Sequence, residues 1–223
     1  MSMPINRASE LLKEVFREIL QMIFPQRCAG CGVGGGTLCV KCRRELSDLF
    51  CAGEMEVEGF RVFFAAQHSE ILKKVLHRFK YISDSELAVG LAELLVRRIS
   101  ILDIGNEFIV LPIPLHVKRE RERGFNQSEI LAKLVVGKIG GRVMKLLVRE
   151  RETEPQARLK RAERLKNVRG AFVLNTKFVH ELPETVWILD DVVTTGSTFL
   201  ECANVLKSAG VKNVYGIMLA HGL

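Results

Sequence analysis

Trp187-Ile188-Leu189-Asp190-Asp191-Val192-Val193-Thr194-Thr195-Gly196-Ser197-Thr198 is the stretch on which the reading of this chain turns. A short hydrophobic run, Trp187 to Leu189, predicts a buried strand. Two adjacent acids follow it. A turn of small and hydroxyl residues then opens a helix from about Thr198 to Ser208, with Gly210 just past its end. Such a turn offers backbone N–H groups and the positive end of a helix dipole, which together suit a phosphate monoester. Gly196 allows an anion to come close to the backbone. Thr194, Thr195, Ser197 and Thr198 add hydroxyl donors. The carboxylates of Asp190 and Asp191 suit the hydroxyls of a sugar, or Mg²⁺ bound directly or through water. An ordinary turn capped by Ser197 or Thr198 is the plainer alternative. The two acids ahead of the turn weigh against it.

Working outward, hydrophobic runs alternate with helical patterns. Strands are expected at Phe60–Ala66, Phe108–Leu111, Val143–Val148, Ala171–Leu174 and Val214–Leu219. Helices are expected at Ser69–Arg78, Leu87–Ser100 and Phe125–Ile139. That alternation predicts an α/β fold with a mainly parallel central sheet. Ahead of it, apolar residues at helical spacing over 8–23 predict an amphipathic helix that Pro25 ends. Val40 to Leu49 reads as a short helix. Gly53 and three glutamates over 52–58 read as a polar linker. The expected division is therefore a helix and cysteine module over 1–57 and an α/β domain over 58–223.

The 223 residues are 48% hydrophobic and 26% charged, which excludes wholesale disorder. No run approaches the roughly 18 uncharged residues of a spanning helix. Charged residues interrupt the first apolar stretch, so no signal peptide is expected and a cytoplasmic protein is. The net charge is 33 − 26 = +7. Between Pro114 and Ala171 there are 16 Lys and Arg against 7 Asp and Glu, or +9, so the whole excess lies mid-chain. A region of that kind meets phosphate, on a small ligand or on nucleic acid, unless it is simply a solvated face.

Two pieces of the basic region stand out. Leu111-Pro112-Ile113-Pro114-Leu115-His116 leads into Lys118, Arg119, Arg121 and Arg123, then Gly124-Phe125-Asn126-Gln127-Ser128. A rigid turn followed by guanidinium groups suits pyrophosphate, because arginine pairs bidentately with phosphate oxygens. Glu120 and Glu122 alternate with the cations, so a charge ladder competes with that reading. Further on, Arg149 to Gly170 is long, polar and charged, with Arg149 and Arg151 at its start, and reads as a mobile loop with one charged helical stretch, either a functional lid or a disordered segment. Direct DNA binding is expected to be weak and salt-sensitive. Phe125 is the one aromatic between Pro114 and Gly170, and single-strand binders use stacking platforms.

Cys28-x2-Cys31-x7-Cys39-x2-Cys42 is a pair of Cys-x-x-Cys knuckles. Four thiolates fill the tetrahedral set of a structural zinc and leave no open position for catalysis. An iron–sulfur cluster or a redox dithiol pair is the alternative. Cys51 reads as a buried apolar thiol, with a replacement metal ligand as the alternative, and Cys202, inside an expected helix, reads as core packing.

The acidic loop resembles the phosphoribosyl pyrophosphate (PRPP) signature of type I phosphoribosyltransferases. That resemblance implies a type I phosphoribosyltransferase-like fold. It also implies ribose 2′ and 3′ hydroxyls at Asp190 and Asp191, and the 5′-phosphate at Thr194, Thr195, Gly196, Ser197 and Thr198. The cysteine module, the Pro-Ile-Pro-Leu-His turn, Arg-Gly-Phe-Asn-Gln, Arg-x-Arg-x-Thr-x-x-Gln and the acidic loop occur in the order of the competence protein F (ComF) family, which the chain resembles over nearly its whole length. The resemblance implies association with DNA uptake in natural transformation, alongside an ATP-driven DNA translocase. If turnover is retained, it implies displacement of pyrophosphate from ribose C1 by a nitrogen nucleophile, with Mg²⁺ bound together with PRPP. Arg119, Arg121 and Arg123 would face the pyrophosphate and Arg149 and Arg151 would close over it. The competing role is an inactive adaptor or PRPP sensor.

Overall fold

A computed structural model describes residues 26–82, 84–105, 107–153 and 166–222. The expected first helix, over 8–23, lies outside the described residues. So do Gln156, Leu159, Glu163 and Arg164 of the basic region.

A short helix, α1 (Val40–Asp48), turns Cys42 and Leu46 inward. It leads into a hairpin of β1 (Phe50–Val57) and β2 (Phe60–Gln67), antiparallel and joined by Glu58-Gly59. Helix α2 (Glu70–Tyr81) starts where the Ser69 hydroxyl accepts from the Leu72 N–H, and α3 (Ser85–Ile99) where the Asp84 carboxylate accepts from Glu86 and Leu87. Then come β3 (Ile109–Pro112), α4 (Val117–Arg123), α5 (Gln127–Ile139), β4 (Arg142–Val143), β5 (Leu147–Arg149) and β6 (Phe172–Leu174). The chain continues through β7 (Thr185–Val193), α6 (Ser197–Ser208) and β8 (Asn213–His221).

Six strands form the main sheet in the order β1-β2-β8-β7-β3-β4. Every pairing is parallel except β1 with β2. β5 and β6 make a separate antiparallel ribbon. The expected α/β class with a mainly parallel sheet is what the structure shows. Alternation along the strands divides the core. Trp187, Leu189, Ile217 and Leu219 face a layer holding α1, α2, α3 and α5. Ile188, Val214 and Met218 face a layer holding α6 and the β5–β6 ribbon.

Four local expectations are corrected. The polar linker is an edge strand: exposed Glu54 and Glu56 alternate with Gly53, Met55 and Val57 on the other face. A run rich in glutamate disguises that period of two. The single strand Val143–Val148 is two strands in different sheets, β4 beside β3 and β5 beside β6. The turn after Pro114 becomes helix α4, which ends at Gly124 in the left-handed region. The last strand before the acidic loop does not stop at Leu189. It runs through both acids to Val193, because Val192 and Val193 continue the ladder opposite Ala220 and His221.

Candidate functional site

The parallel strands β7, β3 and β8 deliver their carboxyl ends to one edge, where ligands of open α/β sheets bind. There Asp190, Thr194, Gly196, Ser197 and Thr198 line one open cleft, over Ile113 and Met218. Gly196 occupies the N-cap position of α6 with φ +75°, so neither Ser197 nor Thr198 caps the helix. Thr195 Oγ1 lies 3.1 Å from Ser197 Oγ and accepts from the Ser197 N–H. These contacts fold the loop around the start of α6. A Cβ at Gly196 would lie 2.7 Å from Val57 Cγ1, so the tip of the β1–β2 hairpin is packed directly on the loop.

The two acids have different partners. Asp190 Oδ1 accepts from the Ser128 hydroxyl at 2.7 Å. Asp191 Oδ2 pairs with the Lys80 ammonium at 2.7 Å. Burial, and then the charge of Asp191, push the Asp190 carboxyl up to about 7, against the opposing pull of Ser128 and Lys80. The Asp191 charge in turn raises Lys80 above its ordinary value, against the effect of burial. Sequence reasoning assigns no role to Lys80 or Ser128. The helical pattern offers no sign that the end of α2 and the start of α5 reach the acids.

Around this pair the arginines separate into two groups. Arg119 and Arg123 lie four residues apart on one face of α4, whereas Arg121 is exposed on another. Arg123 donates to Gln127 Oε1 at 2.6 Å. Burial lowers its pKa, and the Asp191 charge opposes that. Arg119 donates to the Thr153 carbonyl at 3.3 Å, and Arg149 donates to the hydroxyl of the same buried threonine. Arg149 stands 5.2 Å from the centre of the Phe172 ring, and its buried Nε has no hydrogen-bond partner among the described residues. Its pKa is lowered by burial first and by Arg119 second. No ion pair to either Arg119 or Arg149 forms among the described residues. Among the described residues, two guanidinium groups are thus held near each other with no carboxylate paired to either. Arg151 instead donates to the Asn167 and Arg169 carbonyls, at 2.8 and 2.6 Å, and holds backbone.

Cys28, Cys31, Cys39 and Cys42 come together with all four sulfurs within 4.8 Å of one another. The Cys31 and Cys39 sulfurs are 3.7 Å apart. Tetrahedral zinc with sulfur ligands at about 2.3 Å needs sulfurs about 3.8 Å apart, so the cluster fits a metal of that size. The Cys39 N–H points at Cys28 Sγ at 3.3 Å. Burial works to raise the Cys28 thiol, but backbone N–H donors from Cys31, Cys39 and Gly30 prevail and lower it to about 6. Gly30 admits the close approach: a Cβ there would lie 2.7 Å from Cys42 Sγ. The cluster is not a detached unit, since Cys28, Leu38, Cys42 and Leu46 belong to the same buried layer as α2 and α3. Cys202 is fully buried on the inner face of α6, as expected of a core thiol, and Cys51 lies half-buried in β1.

Fold and site together define an α/β protein with a strand–acid–acid–loop–helix cleft and a four-cysteine cluster. No family model matches the chain. DNA utilization protein YhgH of Salmonella typhi is 30% identical over 84% of this chain and 80% of its own length. Competence protein F of Haemophilus influenzae is 26% identical over 84% and 86%. Competence protein ComFC of Bacillus subtilis is 29% identical over 64% and 56%. The chain belongs to this YhgH and competence protein F family. Among solved structures, orotate phosphoribosyltransferase from Aeropyrum pernix aligns over 81% of this chain and 80% of its own, at 14% identity and a TM-score of 0.39. Adenine phosphoribosyltransferase from Trypanosoma brucei aligns over 81% and 79%, at 10% identity and 0.39. Likenesses that loose bear on nothing beyond themselves. Among the described residues no helix is long and apolar enough to cross a membrane.

Proposed function

We propose that this chain binds PRPP with Mg²⁺ in the cleft at the end of β7 and transfers its phosphoribosyl group to a nitrogen nucleophile. The observation that carries this reading is the juxtaposition of three elements at one sheet edge. These are the acid pair, the hydroxyl-rich start of α6, and the Arg119–Arg149 pair, which has no ion-pair partner among the described residues and whose Arg149 feels the charge of Asp190. Asp190 and Asp191 accept from the ribose hydroxyls. Thr194 to Thr198 hold the 5′-phosphate. Arg119 and Arg149, with Arg123 behind them, face the pyrophosphate, while Arg121 and Arg151 stand outside that group. Mg²⁺ when bound neutralises pyrophosphate oxygens. In the reaction the bond from ribose C1 to the pyrophosphate oxygen breaks, its electron pair leaving with pyrophosphate. The nitrogen lone pair forms the new bond to C1. Catalysis of that kind rests on positioning and charge, with no covalent residue.

The four cysteines hold structural zinc. The names of the relatives, DNA utilization and competence proteins, support a role in the handling of incoming DNA, whereas the cytoplasmic location and the ATP-driven translocase as partner rest on the sequence and its resemblance to the ComF family. The mid-chain excess of charge supports at most weak, salt-sensitive contact with DNA itself. Phosphorus NMR of the protein with PRPP and Mg²⁺, across a panel of bases and amines, tests the reading. Pyrophosphate release that an Asp190→Asn/Asp191→Asn variant lacks is the expected result. Saturable binding without release makes the protein a PRPP sensor or adaptor. Absence of binding refutes the proposal.

A further inference from the structure

Lys80 is anchored at both ends. Its ammonium meets Asp191 Oδ2 at 2.7 Å, with side-chain exposures of 35% and 13%. Its main-chain carbonyl accepts from Gln127 Nε2 at 3.2 Å, and Gln127 accepts from Arg123 at 2.6 Å. Gln127 is buried at the start of α5, and its neighbour Ser128 supplies the hydroxyl on Asp190. One helix start therefore fixes both the partner of Asp190 and the position of the cation on Asp191. Two adjacent carboxylates at a sheet edge are otherwise an ordinary oxygen set for a divalent ion. An ammonium seated on one of them changes that, because a dication sharing the carboxylate is repelled at close range. The charge on Asp191 is already matched, while carboxylate oxygens remain to accept from hydroxyl groups.

We propose that Lys80 is a positioning residue: a resident cation on Asp191 that keeps divalent metal off the acid pair and reserves it for the vicinal hydroxyls of a sugar. This rests on the phosphoribosyl reading for its ligand, though not for its exclusion of metal. Metal then reaches the cleft only on the diphosphate of the substrate.

Calorimetric titration of the full-length protein with Mn²⁺ alone, without PRPP, tests it. Lys80→Met is expected to bind Mn²⁺ about tenfold more tightly than wild type, since removing a like charge at this range is worth at least that factor. Lys80→Arg restores the weak affinity, and Lys80→Met/Asp191→Asn loses the gain. Lys80→Gln replaces the methionine variant if that one does not fold. Equal Mn²⁺ affinity in wild type and a folded Lys80 variant overturns the proposal, whereas a purely structural lysine produces no gain in metal binding. A separate PRPP titration of wild type keeps the two readings apart. Failure there refutes the phosphoribosyl site and leaves the Mn²⁺ comparison to decide Lys80.

Discussion

Gly196→Ala tests the conformation of the phosphate loop before any ligand is added. Gly196 sits at φ +75°, in the left-handed region, where an ordinary L-residue costs about 1–2 kcal/mol. The new Cβ also meets Val57 Cγ1 at 2.7 Å and Cγ2 at 2.8 Å. Valine is stiff about its first side-chain bond, so it cannot swing away without moving the hairpin. Overpacking of that kind costs about 1–3 kcal/mol. The sum is about 2–5 kcal/mol, a large part of the roughly 5–15 kcal/mol that holds a domain together. Urea unfolding measures it, with the fluorescence of Trp187 as probe. That residue is the one tryptophan in the chain and is buried in β7, the strand that carries the acids. The slope should stay constant while the midpoint falls. Val57→Ala separates the two costs. It removes the clash and leaves the backbone strain, so the double variant should recover about 1–3 kcal/mol relative to the sum of the singles. A Gly196→Ala protein within about 0.5 kcal/mol of wild type refutes this account of the loop. So does a double variant with no coupling, because Val57 would then not touch the loop.

Asp190→Asn probes the raised carboxyl. A carboxyl whose folded pKa is about 7 against an ordinary 3.8 binds its proton more tightly when folded, so wild-type stability falls as pH rises from about 4 through 7. A neutral amide at this position escapes that loss. The variant should gain up to about 4 kcal/mol over wild type at pH 8 and nothing at pH 4, as read by thermal unfolding. PRPP affinity of wild type should rise over the same interval as the acid ionises, and a flat profile in calorimetry contradicts the assignment. Arg149→Ala should weaken PRPP binding by about tenfold or more, and Arg121→Ala by less than about twofold, since only the former loses a desolvated charge. Equal losses by isothermal titration remove the distinction drawn between them. Stripping the cysteine cluster with a thiol-reactive mercurial and a chelator should release one metal per chain and lower the melting temperature of the entire protein. Leu38 and Leu46 pack in the common layer, and structural zinc contributes about 10–16 kcal/mol in small modules. A metal content near zero in Cys39→Ser and in wild type alike contradicts the zinc assignment.

The sequence shows those parts whose physics is local. The loop 194–198 is legible because glycine, hydroxyls and a following helical period sit side by side. The cysteine cluster is legible because two knuckles close around one point with little help from the rest of the chain. The core strands β3, β7 and β8 are legible because burial on both faces makes them continuously apolar. Edge strand β1 is not, since its outward face carries glutamates and only its pairing with β2 fixes it as a strand. Helix α4 is hidden for a related reason. Six of its seven residues are charged and leave it no apolar face, so nothing periodic announces it, and its helical spacing separates Arg121 from Arg119 and Arg123.

What the sequence could not show is which distant groups the topology carries to the acids. In a parallel sheet each strand returns through a helix, so several helix ends gather at the same edge as the strand ends. α5 follows β3 and starts at that edge, which brings Ser128 to Asp190. α2 follows β2 and closes at that edge, which brings Lys80 to Asp191. Ser128 closes the Gly124–Ser128 segment without a role of its own there and Lys80 belongs to no motif: serine at the start of a helix reads as a capping residue, and lysine at the end of one reads as a partner for the helix dipole. Each has an adequate local explanation, and so neither attracts a functional one. Opposite partners on adjacent acids then make Asp190 and Asp191 chemically unequal, one neutralised by protonation near pH 7 and the other by an ammonium. Substitution should expose that asymmetry. Asp190→Asn should abolish the pH dependence of stability near neutrality, and Asp191→Asn should leave Lys80 unpaired and lower stability instead. Identical stability profiles for the two variants would mean that the pair acts as a single symmetric site.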